Sequence, residues 1–317
     1  MRALICKKFG LPKDLVLEEV SNPAPKNNQV IIDIHAAGIN FPDMLMFAGK
    51  YQVKTPPPFI PGNEACGIIS EIKNNTSRFS VGDKVFCSPM KGAFAEKIAI
   101  NENHVFPLPK DLNFEQGAGF PIAFCTSYHA LKDQASLKPG EKILILGAAG
   151  GVGTTAIQLS KAMGAHVIAA ASSDEKLEFA KSMGADETIN YSKSSLKEVV
   201  KDLTNGKGVD VVYDPVGGEL AEAALRACGW KSRYLVIGFA SGIIPKLPAN
   251  LALLKESHII GVFWGQWATL NPTLHLKNIQ EIFKIFNTNH LAPHISDSYP
   301  ISDFVIAYDD IANRRIK

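Results

Sequence analysis

Between about residue 141 and residue 265 the sequence alternates short apolar runs with longer amphipathic ones. In order these are "KILILGA", "GVGTTAIQLSKAMG", "HVIAAAS", "DEKLEFAKSMG", "ETIN", "SLKEVVKDLT", "VDVVYDP", "ELAEAALRAC", "RYLVIGF", "NLALLKE" and "HIIGVFW". The short members are continuous Val, Ile, Leu and Ala, so each strand is expected to be buried on both faces. Burial on both faces requires helices above and below the sheet. The pattern therefore predicts an α/β fold with a doubly wound parallel sheet.

This region is less than half of a chain of 317 residues, and the total length suits two domains. From the start to about residue 120 the pattern is different: "ALIC", "LVLEEV", "QVIIDIHAAG", "CGIISEI", "DKVFCS" and "AEKIAI", separated by turn signals such as "PAPKNN" and "KTPPPFIPGN". A β-rich, partly barrelled domain is expected there. After Trp267 a helical stretch, "LNPTLHLKNIQEIFKIFNTN", leads into a tail that cannot extend a buried sheet. The expected boundaries are residues 1–123 for the first domain, 124–266 for the doubly wound domain, and 267–317 for a return to the first.

The formal net charge is +2 and no dense Lys/Arg block occurs, so the electrostatic footprint of a nucleic-acid or membrane-surface binder is missing. No apolar run reaches the roughly 18 to 20 residues a membrane span needs. The opening "MRALICKKFG" lacks a secretory pattern, which leads to the expectation of a cytoplasmic protein. The five cysteines, Cys6, Cys66, Cys87, Cys125 and Cys228, are odd in number and scattered, as buried reduced thiols would be.

The stretch "GAAGGVG", Gly147 to Gly153, follows the first apolar strand and opens a helix. Such a turn presents free backbone N–H groups and the positive end of a helix to a pyrophosphate. The strict G-x-G-x-x-G fingerprint is not met, since Ala148 stands where its first glycine would be, but the position in the first βαβ unit supports dinucleotide binding through Ala149, Gly150, Gly151, Val152 and Gly153. Tight strand-to-helix packing also accounts for Gly153.

The end of the next strand distinguishes the cofactors. NAD enzymes usually place an acid there for the ribose 2′-OH. Here stand Ala170, Ala171, Ser172 and Ser173, followed by Lys176, a set that suits a 2′-phosphate and so NADPH. Asp174 favours NADH instead. Ser173 also reads as a helix cap, and Lys176 as a surface charge paired with Asp174 or Glu175.

"AAGINFPDMLMFAGKYQ" (Ala36 to Gln52), "PPPFIPGNEACG" (Pro56 to Gly67), "CTSYHAL" and "DPVGGELAEAALRA", together with the glycine loop and in this order, resemble the zinc-independent, zeta-crystallin-like quinone oxidoreductase branch of the medium-chain dehydrogenase/reductase superfamily. The resemblance covers nearly the whole chain. It implies a Rossmann-type domain inserted in a GroES-like catalytic domain, and reduction of quinones or α,β-unsaturated carbonyls by NADPH, commonly in a homodimer that pairs through residues 258–265. The family pattern continues past "IANRRIK" with a Gly-Lys and a closing apolar strand, whereas this sequence stops at Lys317.

Zinc-dependent relatives carry a Cys before the counterpart of Gly38 and a His before that of Glu64, where this chain has Ala37 and Asn63. It also lacks clustered cysteines, so no metal is expected. The substrate must then be oriented and polarised by hydrogen bonds. The resemblance puts Asn40, Asp43, Tyr51 and Asn63 around the nicotinamide end. Asn40, Pro42 and Asp43 also read as a helix N-terminus, and Asn63 as a turn residue.

The resemblance further implies that Tyr51 and Thr126 lie at the nicotinamide, Tyr191 at the adenosine phosphate, and Gly238, Phe239, Ala240, Val262, Phe263 and Trp264 along the cofactor wall. The aromatics Phe263, Trp264 and Trp267 read equally as a stack for a flat acceptor and as core or subunit contact. Two alternatives stand beside the leading reading. One is an enoyl or acrylate reductase, although no Arg falls among the first-domain motifs to take a carboxylate. The other is a non-catalytic nucleotide-binding or RNA-binding protein, against which the near-neutral charge argues.

Overall fold

The alternating runs near the start of the chain pair as antiparallel ladders in the computed structural model, which describes residues 1–73, 78–313 and 315–316. β1 (Arg2–Ile5) and β2 (Val16–Glu19) form a two-stranded ribbon. β3 (Gln29–Ala37) leads through α1 (Phe41–Phe47) to β4 (Ala65–Ile72), β5 (Lys84–Cys87), β6 (Lys97–Asn101), β7 (Val105–Pro107) and α2 (Phe114–Ala118). Five of these strands make a curled antiparallel sheet in the order β6-β3-β4-β5-β7. Its inner face carries Val30, Ile32, Ile69, Val85, Ile98, Ile100 and Val105, alternate positions along each strand, as a half-buried sheet requires.

The second half follows the both-faces-buried reading. α3 (Pro121–Tyr128) precedes β8 (Lys142–Leu146), α4 (Gly151–Ala162), β9 (His166–Ala171), α5 (Asp174–Ser182), β10 (Glu187–Asn190), α6 (Leu196–Leu203), β11 (Val209–Asp214), α7 (Glu219–Ala227), β12 (Cys228–Val236), α8 (Ala249–Lys255) and β13 (His258–Gly261). The six strands are parallel in the order β10-β9-β8-β11-β12-β13. The chain winds one way from β8 to β10 and the other way from β11 to β13, so the topological switch point lies between β8 and β11. The architecture is the Rossmann-type sheet plus curled antiparallel domain implied above.

The chain divides into two compact units, residues 1–122 with 292–316, and residues 123–291. The return to the first unit therefore comes at Ala292 and not at residue 267. α9 (Trp264–Leu270) and α10 (Pro272–Asn289) stay with the parallel sheet because their apolar side chains pack there: Phe286 meets Phe124 edge-on at 4.7 Å, and Trp267 stacks on His129 at 4.1 Å. β13 is also shorter than expected, since "VFW" leaves the strand and turns into α9. The returning segment carries α11 (Phe304–Ala312), whose Tyr308 is buried with Leu4, Cys6, Phe47, Phe59 and Phe94. Arg314 and Lys317, at the end of the expected returning segment, lie outside the described residues.

At the strand-to-helix turn after β8 the backbone closes on itself. A Cβ on Gly153 would stand 2.3 Å from Gly147 O and 3.0 Å from Ala148 Cα, whereas one on Gly151 would meet nothing within 4 Å. Gly153→Ala is therefore expected to cost about 1–3 kcal/mol by overpacking against backbone that has no room to retreat. Gly151→Ala is expected to leave the thermal unfolding midpoint unchanged. Calorimetric scans of the two variants side by side test this, and an equal drop for both would refute it.

Candidate active site

In the first unit, α1 begins with a reciprocal cap. Asn40 N–H donates to Asp43 Oδ2 at 2.7 Å, and Pro42 occupies a first-turn position where a missing N–H costs nothing. The helix-cap reading holds for the Asn40 backbone, but its side chain does something else. Asn40 Nδ2 donates to Glu64 Oε1 at 2.7 Å and approaches Asn63 Oδ1 at 3.3 Å. Glu64 Oε2 accepts from Ile122 N–H at 2.8 Å, in the first turn of α3.

Glu64 is almost fully buried, and only a glycine at position 38 leaves room for it. A Cβ there would lie 2.1 Å from Glu64 Oε1. Asn40, Asp43 and Asn63 are thus brought together, with Glu64, which sequence reasoning used only as a marker, at their centre.

Burial dominates the electrostatics of this cluster. It pushes the Glu64 carboxyl up to about 8, although the hydrogen bonds from Ile122 and Asn40 pull the other way. Asp43, fully buried, is raised by burial to about 7 against the pull of Asn40 N–H. Burial and the Asp43 charge together raise Tyr51, which places Tyr51 within electrostatic reach of the same cluster. Burial, then Asp43, raises the Tyr308 phenol well above its ordinary value. The Tyr308 hydroxyl faces Asp43 and pulls its carboxyl down against burial, although neither Asp43 Oδ1 nor Tyr308 Oη has a partner of good hydrogen-bond geometry among the described residues. The arrangement can keep carboxyl protons in a dry site near neutral pH.

In the second unit, Gly147–Gly150 turn out of β8 at the switch point. The first intrahelical bond of α4 is Thr154 N–H to Gly150 O at 2.9 Å, so the N–H groups of Gly151, Val152 and Gly153 precede it. Gly150 and Gly151 are exposed, and the space beside Gly151 is empty, which fits a pyrophosphate at a helix N-terminus. Ala149 is buried behind them, and Gly153 serves packing.

Beneath the turn, Ser127 Oγ lies 2.8 Å from Thr155 Oγ1 and 2.9 Å from Tyr213 Oη, in a fully buried network that ties α3 and β11 to α4. Thr126, half-buried, is the next residue on α3. Sequence reading missed this network because Ser127 and Tyr213 are far apart in the chain.

At the switch point the loop after β11 is shaped by Asp214, whose Oδ1 accepts from Val216 and Gly217 N–H, both at 2.8 Å, and whose Oδ2 accepts from Tyr234 Oη at 2.5 Å. Gly238 and Ala240 lie alongside, their N–H groups donating to Asp214 O (3.4 Å) and Pro215 O (3.0 Å). Phe239 packs against Gly217. Val262 N–H donates to Val236 O at 3.0 Å, and Phe263 is half exposed. Trp264 is buried instead, edge-on to His275 at 5.4 Å. Trp264 and Trp267 are thus turned into the α9–α10 packing, apart from the other residues of the expected wall.

At the end of β9, Ser173 Oγ caps α5 by accepting from Lys176 N–H at 3.4 Å. Tyr191 N–H donates to Ala171 O, and Ser192 Oγ to Ser172 O, so the ends of β9 and β10 are knitted side by side. Asp174 is paired with Lys193 at 2.5 Å and with Asn190 Nδ2 at 2.6 Å, and not with Lys176.

The comparisons with known proteins agree with this geometry. Residues 26–110 match the alcohol dehydrogenase GroES-like domain, and residues 151–278 match the zinc-binding dehydrogenase family. A quinone oxidoreductase-like protein 2 homolog of Nematostella vectensis is 35% identical over 99% of this chain and 86% of its own length. The chain belongs to the quinone oxidoreductase family of the medium-chain dehydrogenases and reductases. Among solved structures, the Escherichia coli quinone oxidoreductase complexed with NADPH superposes with a TM-score of 0.92 at 27% identity, covering 100% of this chain and 98% of that one. A 2-haloacrylate reductase superposes with a TM-score of 0.84 at 28% identity, covering 98% and 95%.

The zinc in the name of the matched family does not fit the residues present. Ala37 and Asn63 offer no ligands, the Glu64 oxygens are taken by Asn40 and Ile122, and no group of three or more His, Cys, Asp or Glu among the described residues is placed to hold a metal ion. His290 and His294 have an i, i+4 spacing, but α10 ends at Asn289 and the two do not share a helix. The five cysteines are free and buried, and no helix among the described residues is long and apolar enough to cross a membrane.

The raised carboxyls give a signed pH dependence. Folded Glu64 holds its proton up to about 8, against an ordinary 4.5, so the folded state binds more protons across that window and stability falls as pH rises through it. Glu64→Gln removes this titration. Urea unfolding at pH 5 and pH 8 is expected to show the variant losing less stability over the interval than the parent, by at least about 1 kcal/mol. Parallel profiles would exclude a protonated Glu64.

Proposed function

We propose that this chain is a cytoplasmic NADPH-dependent reductase that delivers hydride to quinones or α,β-unsaturated carbonyl compounds. The observation that carries the reading is the pairing of an open glycine cradle with a second-strand end that offers Ser172, Ser173 and Lys176 while its one acid, Asp174, is already neutralised. The Escherichia coli relative complexed with NADPH supports the choice of cofactor.

Bound NADPH supplies the hydride. The N–H groups of Gly151, Val152 and Gly153 hold the pyrophosphate against the end of α4, with Ala149 and Gly150 forming the turn that lets it approach. Ser172, Ser173, Lys176 and Tyr191 receive the 2′-phosphate by charge and hydrogen bonding. On the family resemblance, Thr126 and Tyr51 are assigned to the nicotinamide, and Gly238, Phe239, Ala240, Val262 and Phe263 to its path, while Trp264 is withdrawn into the packing with His275.

Asn40 and Asn63 orient the acceptor. An acceptor that gains a hydride also needs a proton, and the dry carboxyls raised to about 8 at Glu64 and about 7 at Asp43 keep one within reach near neutral pH. A homodimer fits the unpaired edge of β13, where Ile259 and the following Phe263 are exposed, and pairing across residues 258–265 would cover them.

A second reading, reduction of an acrylate or enoyl thioester, is favoured by the likeness to 2-haloacrylate reductase. Side-by-side assays of NADPH and NADH oxidation with 1,4-benzoquinone, 9,10-phenanthrenequinone and a small acrylate separate the two. We expect NADPH with a quinone to give the highest kcat/KM. Lys176→Ala should lower the NADPH value about tenfold or more, leaving NADH unchanged, as expected for loss of a charge-assisted hydrogen bond. An acrylate preference would install the second reading, and binding of NADPH without turnover of any acceptor would overturn both.

A further inference from the structure

The pair Asp174–Lys193 lies at the end of the second strand of the parallel sheet, where the leading functional reading puts the cofactor's 2′-phosphate. An acid at this place is ordinarily an obstacle, because its charge repels a phosphate and its oxygens suit an unmodified ribose. In this chain both oxygens of Asp174 are engaged. Oδ2 takes Lys193 Nζ at 2.5 Å and Oδ1 takes Asn190 Nδ2 at 2.6 Å. Lys193 and then Asn190 hold the carboxylate below its ordinary range.

The donors are fixed by the turn after β10, and not by chance contact of long side chains. Asn190 Oδ1 accepts from Ser192 N–H at 3.1 Å, which aims Nδ2 at Asp174, and Lys193 N–H donates to Asn190 O at 3.1 Å. Ser192 Oγ donates to Ser172 O at 3.0 Å, so the same turn is tied to the serines that would meet the phosphate. Asp174 has its own reason to be acidic, as the first residue of α5 it sits at the positive end of the helix. The chain thus keeps an acid that suits the helix and cancels its charge from the neighbouring strand.

We propose that Lys193 is a specificity-determining residue that acts through Asp174, masking the carboxylate so that a 2′-phosphorylated cofactor is accepted. The proposal rests on the NADPH reading above. Removing Lys193 exposes a charge beside Ser172 and Ser173, which weakens binding of NADP+ and leaves NAD+ unaffected or improved. Removing Asp174 as well takes away the charge that Lys193 was needed to cancel.

The test is a double-mutant cycle read by calorimetric titration of NADP+ and NAD+ into the parent, Lys193→Ala, Asp174→Asn and the double variant. Both residues are more than half exposed, so the variants are expected to fold, and unfolding midpoints check this. Lys193→Ala should lower the NADP+ over NAD+ affinity ratio about five- to tenfold in the parent background, a size set by a single uncompensated charge near the surface. In the Asp174→Asn background the same substitution should change the ratio less than about twofold, the mark of coupled residues. An equal loss in both backgrounds would assign Lys193 to the phosphate itself and overturn the proposal, as would no loss in either. Failure of the parent to prefer NADP+ would instead overturn the NADPH reading, which a titration of the parent alone decides.

Discussion

The carboxyl group of Glu64 is taken almost entirely out of water, and much of the first unit is arranged around its needs. An unpartnered acid in such a place would cost several kcal/mol. Glu64 is met from α1 by the Asn40 amide and from the start of α3 by Ile122 N–H, while β3 yields space to it at Gly38. Asn40 cannot be assigned either to capping or to the site, because its backbone serves one and its side chain the other. The same crowding explains why Asp43 and Glu64 both hold protons above the usual carboxylate range: two acids share one dry region, and burial acts on each.

The second unit depends on a different constraint, the close approach of backbone at the turn out of β8. Gly153 lets α4 press against the strand end, and Gly151 leaves the outer side of the turn empty. Between them they let the helix press close on one side of the turn and leave room on the other, where the proposed reading puts the cofactor's pyrophosphate. Below, the hydroxyl network of Ser127, Thr155 and Tyr213 fixes α3 against α4, so Thr126 and the glycine turn are positioned by one set of buried bonds. Asp214 does the corresponding work at β11, spending its oxygens on the loop that faces the turn.

Sheet type and strand sequence were legible because burial on both faces forbids alternation, and that signal survives in "KILIL" and "VDVVYD" without any knowledge of partners. The glycine turn and Ser173 were legible for the same reason, since each acts on its own neighbourhood. What was not legible depended on long-range pairing. Trp264 and Trp267 read in sequence equally as an acceptor stack and as core or subunit contact, and the choice is made by His129 and His275, more than a hundred residues before and about ten after, which draw them into packing around α9. That packing also moved the domain return to residue 292. Glu64 stood next to a predicted site residue, yet its role needed Ile122, 58 positions away. The partner of Asp174 was sought two residues along, at Lys176, and was supplied by the turn after β10 through Lys193.

Glu64 and Asp174 show how solvent decides what an acid can do in this molecule. Glu64 has lost water, so ionisation is what becomes expensive, and the group is kept in place by two neutral donors while retaining its proton. Asp174 has kept water, so ionisation is free and the charge has to be cancelled by a cation from the next turn. A lysine beside Glu64 would have fixed its charge and removed a carboxyl proton from the site. The Asn190 amide alone, without Lys193, would have left the charge in place against an incoming phosphate. The two neighbourhoods are not interchangeable, and each suits the step of the proposed reaction that it would serve: a dry proton for the acceptor, and a masked acid for the cofactor.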